Sequence, residues 1–178
     1  MVNNIGQGVR MSDIAKAAGI SRQALYLHFK TRSDLMIATT QFMDDELDVG
    51  LRLKAYRTAS DPVEKIKAYI TAWAGHMEDI QGMARALLAL SPTDEEAREA
   101  WNERMDAIHA QCRIMTDALA KSERLSPHLS AKKAADLFAV LISFENWDRL
   151  RRHYGWGKKA YIDHTTHVVL SALATSEI

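Results

Sequence analysis

Polar side chains that can hydrogen-bond to nucleic acid are concentrated in one short stretch of the chain. Arg22 and Gln23 are followed by Tyr26, then by His28 and Lys30. Arginine can donate two hydrogen bonds to guanine and glutamine can pair with adenine, whereas tyrosine, histidine and lysine suit phosphate oxygens. The spacing suits a helix that enters a DNA major groove, and it suits equally well a helical hairpin whose polar face is only solvated.

Two short helices joined by a tight turn would position these side chains. We expect Ser12 to be the N-cap of the first helix and Gly19 to end it, while Ser21 caps a second helix that ends near Phe29. The expected buried set is Ile14, Ala15, Ala18, Ile20, Leu25 and Phe29. The pattern predicts a helix-turn-helix.

A third helix is expected directly after this pair. Thr31 is its predicted N-cap, and Asp34 stands in the capping-box position three residues later. Apolar residues continue the periodic pattern towards Lys54, and residues 56–60 are predicted to be a linker.

The remainder of the chain is predicted to be helical, because no strand-like alternation is sustained. A helix starts at Asp61-Pro62, with proline in the first helical position, and Gln81-Gly82 is expected to break it. Thr93 is expected to cap a long helix. Residues 135–147 form an apolar helix that needs cover on more than one side, and residues 161–173 lie in a last helix. The predicted fold class is all-α.

Composition excludes several classes of protein. The 178 residues contain 23 basic and 23 acidic side chains, but the first 40 residues carry +3. A single cysteine, Cys112, excludes an intrachain disulfide, and no apolar run approaches the roughly 18 residues of a membrane span. No glycine-rich phosphate loop, Cys/His pair with a base or carboxylate cluster indicates an enzyme. We therefore expect a cytoplasmic protein with no membrane partner and no cofactor.

The segment AKAAGISRQALYLHFKTRSDL resembles the DNA-binding signature of the tetracycline-repressor (TetR) family of bacterial transcriptional regulators. The matching positions are Ile14-Ala15, Ala18-Gly19-Ile20-Ser21, Leu25-Tyr26, His28-Phe29 and Leu35. The later chain is similar to the family in plan only. The resemblance implies a recognition helix at residues 22–29 and a set of DNA-binding residues. They are Ser12, Arg22, Gln23, Ala24, Tyr26, His28, Lys30 and Arg32.

The resemblance also implies two domains. Residues 1–55 would form the helix-turn-helix domain with its connecting helix, and residues 56–178 a helical domain for ligand binding and dimerisation. The family has a full helix before the helix-turn-helix, whereas only residues 1–5 precede Gly6 here. The first helix is therefore expected to be mostly missing, and we expect the true start of the protein to lie upstream of Met1.

Aromatic and methionine side chains of the second domain could line an apolar pocket between helices. The candidates are Trp73, Met77, Met83, Trp101, Met105, His109, Phe144 and Trp147. The alternative for each of them is ordinary core packing. His164 and His167 have a spacing that could hold a metal, but only Asp163 lies near them in sequence, so no metal site is expected.

These observations favour a ligand-responsive DNA-binding regulator. We expect a homodimeric repressor that an apolar or aromatic effector releases from a palindromic operator. The apolar helix at residues 135–147 and the last helix would form the dimer interface. The alternative is a helical dimeric ligand-binding protein with weak or no DNA binding, because its first helix is absent.

Overall fold

The computed structural model describes residues 10–46 and 53–175, and every regular element in these ranges is helical. The all-α prediction is confirmed. The helices are α1 (Met11–Ala17), α2 (Arg22–His28), α3 (Arg32–Glu46), α4 (Lys54–Thr58), α5 (Pro62–Leu90), α6 (Glu95–Lys121), α7 (Ala131–Leu141), α8 (Phe144–Asp148) and α9 (Lys158–Leu173). The expectation that the first helix is mostly missing concerns residues 1–5, which fall outside the described residues.

Helices α1 and α2 form the predicted helix-turn-helix. Gly19 has φ +70°, the left-handed conformation that ends α1, and the Ser21 hydroxyl accepts the Ala24 N–H at 3.0 Å. The assignment of Ser12 as N-cap was wrong, because α1 begins at Met11 and its N-cap lies two residues before Ser12. Arg10 is the cap residue, and its N–H donates to the Asp13 carboxylate at 3.1 Å.

The predicted core of this pair is confirmed in part. Ala15 and Leu25 are buried together with Met11, and the partly buried Ile14, Phe29 and Leu35 pack against them. Ala18 and Ile20 are exposed, contrary to expectation. Since α1 ends at Ala17, these two residues belong to the turn and not to the packed helical face.

The capping box of α3 is confirmed in both directions. The Thr31 N–H donates to Asp34 Oδ2 at 2.9 Å, and the Asp34 N–H donates to Thr31 Oγ1 at 2.9 Å. The linker predicted at residues 56–60 was wrong in part, because α4 continues to Thr58. Tyr56 is buried and its hydroxyl donates to Gln111 Oε1 at 2.9 Å, a distant contact that favours the short helix.

Helix α5 starts as predicted but does not break. Asp61 Oδ1 accepts the N–H groups of Val63 and Glu64 at 2.9 and 3.0 Å. The helix then continues through Gln81-Gly82 to Leu90. Glycine inside a helix costs about 1 kcal/mol. Here that cost is offset by burial of the residues that follow, which include Met83 and Leu87.

Two further boundaries differ from the prediction. Asp94, and not Thr93, caps α6, since its Oδ1 accepts the Ala97 N–H at 3.0 Å. The apolar stretch at residues 135–147 is two helices, because α7 ends at Leu141 and Ser143 caps α8. Asn146 Nδ2 donates to the Val140 carbonyl at 2.6 Å and so satisfies a backbone group at the break. A π-helical turn, Arg149–His153, follows α8.

The described residues divide into two compact units. The first combines residues 10–46 with Asp79–Arg104, and the second combines residues 53–78 with residues 105–175. The core of the second unit contains Tyr69 against Phe138, with ring centroids 6.3 Å apart. The domain boundary expected between residues 55 and 56 stays a prediction. No described helix combines the length and apolar composition that crossing a bilayer requires.

Candidate nucleic-acid interface

Helix α2 presents a polar face to solvent, and the burial of one residue on its opposite side fixes this orientation. Leu25 is 4% exposed and packs into the core with Met11 and Ala15 of α1. Arg22 and Gln23 are exposed in the first turn of α2. Residues on opposite sides of a helix point in opposite directions, so burial of Leu25 fixes which α2 side chains can reach a partner.

Arg22 and Tyr26 lie one turn apart and contact each other. The guanidinium carbon of Arg22 lies 5.3 Å from the centre of the Tyr26 ring, within the range of a cation–π interaction. The contact restricts the long arginine side chain while leaving its N–H groups available at the edge of the plane. Tyr26 itself is 38% exposed. An arginine ordered in this way is suited to bidentate recognition of a planar acceptor such as a guanine edge.

The structure places the other predicted DNA-binding residues on α1, at the end of α2 and at the start of α3. Ser12 is exposed on α1, and His28 is exposed at the end of α2, with its ring centroid 6.4 Å from that of Phe29. Lys30 is exposed in the connection to α3, where Arg32 is half-buried. These residues could bind DNA phosphates on either side of α2. Their roles stay predictions.

One residue of the exposed face was left out of the predicted DNA-binding set, although it was not assigned to the core, and one predicted residue is less accessible than expected. Leu27 is 79% exposed, whereas Ala24 is half-buried and its N–H is used by the Ser21 cap. The signal for Leu27 was present in the sequence, because it stands four residues after Gln23 and therefore on the same strip of the helix.

The connection between α2 and α3 is fixed by polar contacts within the first unit. Besides its capping-box bonds, Thr31 Oγ1 donates to Glu96 Oε2 at 3.2 Å. The N–H of Thr31 is the main cause of the lowered pKa of the Asp34 carboxyl. The pKa of Asp94 is lowered too, first by the Ser33 hydroxyl and then by the Ala97 N–H. The beginnings of α3 and α6 are thus held together by charged side chains.

The candidate ligand residues fall into both units. Met83 and Trp101 are buried in the first unit, where Trp101 is 9% exposed. In the second unit Met105 is half-buried, and His109 Nε2 lies 2.7 Å from Asp136 Oδ1. The His109 side chain is 41% exposed, so this histidine forms a surface pair and does not line the core.

The remaining four candidates, Trp73, Met77, Phe144 and Trp147, are buried in the core of the second unit. The rings of Phe144 and Trp147 are stacked with centroids 6.0 Å apart. Tyr161, which sequence reasoning did not select, joins them with no exposed surface. Burial raises the pKa of Tyr161 to about 12, and the neighbouring Thr165 and Trp73 side chains act in the opposite direction.

Comparisons with known proteins bear on both parts of the chain. Residues 7–39 match the family described as bacterial regulatory proteins, tetR family. The HTH-type transcriptional activator FasR of Mycolicibacterium smegmatis is 37% identical over 73 residues, which cover 40% of this chain and 33% of FasR. The chain thus spans about a third of the length of that relative.

Two solved structures share the fold over nearly the whole chain. A structure described as a transcriptional regulator of Saccharomonospora viridis, in complex with choline, superimposes with a TM-score of 0.77 at 16% identity, covering 94% of this chain and 88% of the other. FadR of Bacillus subtilis, in complex with stearoyl-CoA, gives 0.74 at 17% identity, covering 92% and 88%. Residues 7–39 thus match the model of the tetR family of bacterial regulatory proteins, and the chain has the fold of these solved regulators.

Proposed function

We propose that this protein is a ligand-responsive transcriptional regulator that binds operator DNA through α2 as a homodimer. Residues 1–55 would bind DNA, and residues 56–178 would bind the effector and the second copy. The observation that carries the proposal is the exposed face of α2, where Arg22 stacks on Tyr26 beside Gln23 while Leu25 anchors the opposite side. Arg22 and Gln23 would contact base edges in the major groove.

Phosphate contacts would orient α2 in the groove. The Tyr26 hydroxyl, His28 and Lys30 lie at or beyond the second half of the helix, and Ser12 lies on α1. Arg32, half-buried at the start of α3, would contact the backbone by its outer part. Such contacts carry affinity without sequence information and displace counterions, so the binding constant should fall steeply with salt.

Apolar side chains left in solvent by the second unit support the dimer. Val140 on α7 is 62% exposed and Val168 on α9 is 48% exposed, with Leu137 at 36%. We propose that these helices meet their own copies about a two-fold axis and form a four-helix bundle. The two α2 helices would then read half-sites separated by about one turn of DNA, or a multiple of it.

The effector would bind in the aromatic core of the second unit. Trp73, Met77, Phe144 and Trp147 supply apolar surface, and Trp147 Nε1 is a buried donor with no hydrogen-bond partner among the described residues. A largely apolar ligand with one acceptor atom would satisfy that donor. To act as an inducer, this ligand must bind the DNA-incompetent conformation more tightly than the DNA-bound one.

The proposal is tested with duplexes selected from a random DNA library by the purified protein. Fluorescence anisotropy should give binding that weakens by orders of magnitude between about 50 and 200 mM salt. Arg22→Ala should abolish sequence preference. Arg113→Ala is the matched control, because Arg113 is also an exposed arginine in a helix but lies in the second unit, paired with Asp117. Failure to select any duplex would contradict the proposal.

Effector binding needs its own measurement. Choline and stearoyl-CoA, which two proteins of this fold contain, are the first probes, followed by planar aromatic compounds. An effector should change tryptophan fluorescence and weaken binding of the protein to the selected duplex. Trp147→Phe keeps an aromatic side chain but removes the indole N–H, so it should weaken binding of the effector. Since FasR is an activator, in vitro transcription from a promoter that carries the selected site shows whether this protein represses or activates transcription. We expect repression that the effector relieves.

A further inference from the structure

Leu27 occupies an unusual position for an aliphatic side chain. It lies on α2 and is 79% exposed, the largest exposed fraction among the large hydrophobic residues of the described chain. An isolated exposed leucine needs no explanation by itself. This one, however, stands inside the polar face that the proposed function assigns to DNA, next to side chains that hydrogen-bond.

The geometry of the helix places Leu27 among the base-reading residues. It follows Gln23 by four positions, so the two side chains occupy neighbouring places along one strip of α2. It also follows Tyr26 directly, on the side of the helix away from the buried Leu25. Any surface that contacts Gln23 and the Arg22–Tyr26 pair would therefore cover Leu27 as well.

The chemistry of leucine limits what it can contact there. It has no donor or acceptor for a phosphate oxygen or for a polar base edge, and placing it against either would strip water from them without replacement. In the major groove, the apolar group on a base is the C5 methyl of thymine. We propose, on the basis of the proposed DNA-binding function, that Leu27 reads a thymine methyl within each half-site and so contributes to sequence preference.

Ile20 is also exposed, at 43%, but the same argument does not extend to it. It precedes the N-cap Ser21 and lies in the turn after Gly19, outside the strip that contains Gln23 and Leu27. The inference is therefore restricted to Leu27.

The experiment is a double-substitution cycle between the protein and the DNA. The probe is the duplex selected from the random library, in which each thymine of a half-site is replaced in turn by deoxyuridine. This replacement removes only the C5 methyl and keeps the hydrogen-bonding edges. At one position the original protein should bind the uracil duplex roughly 3- to 10-fold more weakly, the range expected for loss of a buried methyl contact. Leu27→Ala should bind both duplexes equally, within about twofold of each other.

Two further variants keep the result interpretable. Leu27→Met retains an apolar side chain of similar volume and should keep the preference for thymine over uracil. Ile114→Ala removes an aliphatic side chain that is 51% exposed on α6 in the second unit, and it should leave the preference unchanged. Thermal unfolding followed by circular dichroism should show that Leu27→Ala folds as the original protein does.

The possible failures are distinct. If the original protein selects no duplex, the proposed DNA-binding function itself is wrong. If it selects a duplex but the uracil replacements and Leu27→Ala have independent effects at every position, only the role of Leu27 is overturned. A selected half-site without thymine overturns it equally.

Discussion

The guanidinium of Arg22 lies over the ring of Tyr26, with 5.3 Å between the guanidinium carbon and the ring centre. This contact joins two residues one turn apart on the exposed face of α2. Tyr26 thereby has two separable parts, a ring that orders Arg22 and a hydroxyl that can donate to a phosphate. Substitutions that remove one part or both should affect DNA binding by different amounts.

Tyr26→Ala should weaken binding to the selected duplex by about tenfold, because it removes a cation–π contact and a phosphate donor together. Tyr26→Phe keeps the ring and should cost only about threefold, the value of one hydrogen bond. Anisotropy titrations at one fixed salt concentration give both numbers. Equal losses for the two variants would mean that the ring does not order Arg22.

Replacement of Gly19 should destabilise the helix-turn-helix through the backbone alone. A Cβ at this position would meet no atom within 4 Å, but the φ of +70° is unfavourable for any residue with a Cβ. Gly19→Ala should therefore lower the free energy of unfolding by about 1 kcal/mol, and Gly19→Asn by less, because asparagine tolerates the left-handed region. Urea unfolding measures both, and an unchanged stability for Gly19→Ala would contradict this account of the turn.

The cap of α6 should make stability sensitive to acid. The pKa of Asp94 lies below its usual 3.8 in the folded chain, first because of the Ser33 hydroxyl and then because of the Ala97 N–H. A carboxyl whose folded pKa is lowered stabilises the fold above its unfolded pKa, and that stabilisation is lost as the pH falls through the folded pKa.

Asp94→Asn separates the charge from the cap, since asparagine is an equally good N-cap but does not ionise. Urea unfolding between about pH 7 and pH 2.5 should show a shallower loss of stability for this variant than for the original protein. The dependence should not vanish, because the pKa values of Asp34, Asp61 and Asp136 are also lowered. Identical pH profiles for the two proteins would exclude Asp94 as a contributor.

The π-helical turn after α8 is tied to α5 by Arg151. Its guanidinium donates to the Glu78 carboxylate and to the Trp156 carbonyl, and its side chain is 22% exposed. Arg151→Met should lower the free energy of unfolding by roughly 1–2 kcal/mol, less than for a fully buried pair because water reaches these groups.

Arg152→Met is the matched control for this prediction. Arg152 is the next residue and is also paired, with Asp148, but its side chain is 64% exposed. Its replacement should change the unfolding free energy by less than about 0.5 kcal/mol. Chemical denaturation measures the unfolding free energy of both variants. Similar losses for the two would show that the Arg151–Glu78 contact stabilises the fold no more than an exposed ion pair does.

Several boundaries followed from the sequence because neighbouring residues determine them. The Ser21 cap, the Thr31–Asp34 box and the start of α5 at Asp61 all depend on hydrogen bonds between residues two or three positions apart. Gly19 similarly ends α1 by a local property, its tolerance of positive φ. In these places the energy of the structure is contained in a few consecutive residues, so the sequence alone was sufficient.

Tertiary structure decided the features that depend on distant residues. Helix α5 passes through Gly82 because the following side chains are buried, and Tyr56 is helical where a linker was expected because it reaches Gln111. The pairing of His109 with Asp136 likewise joins residues 27 positions apart. By itself the sequence determined an all-α chain with a helix-turn-helix. The sequence also placed Leu25 in the core, but the residues that bury it, Met11 among them, were decided by the packing of α2 against α1, since burial depends on contacts that no local pattern contains.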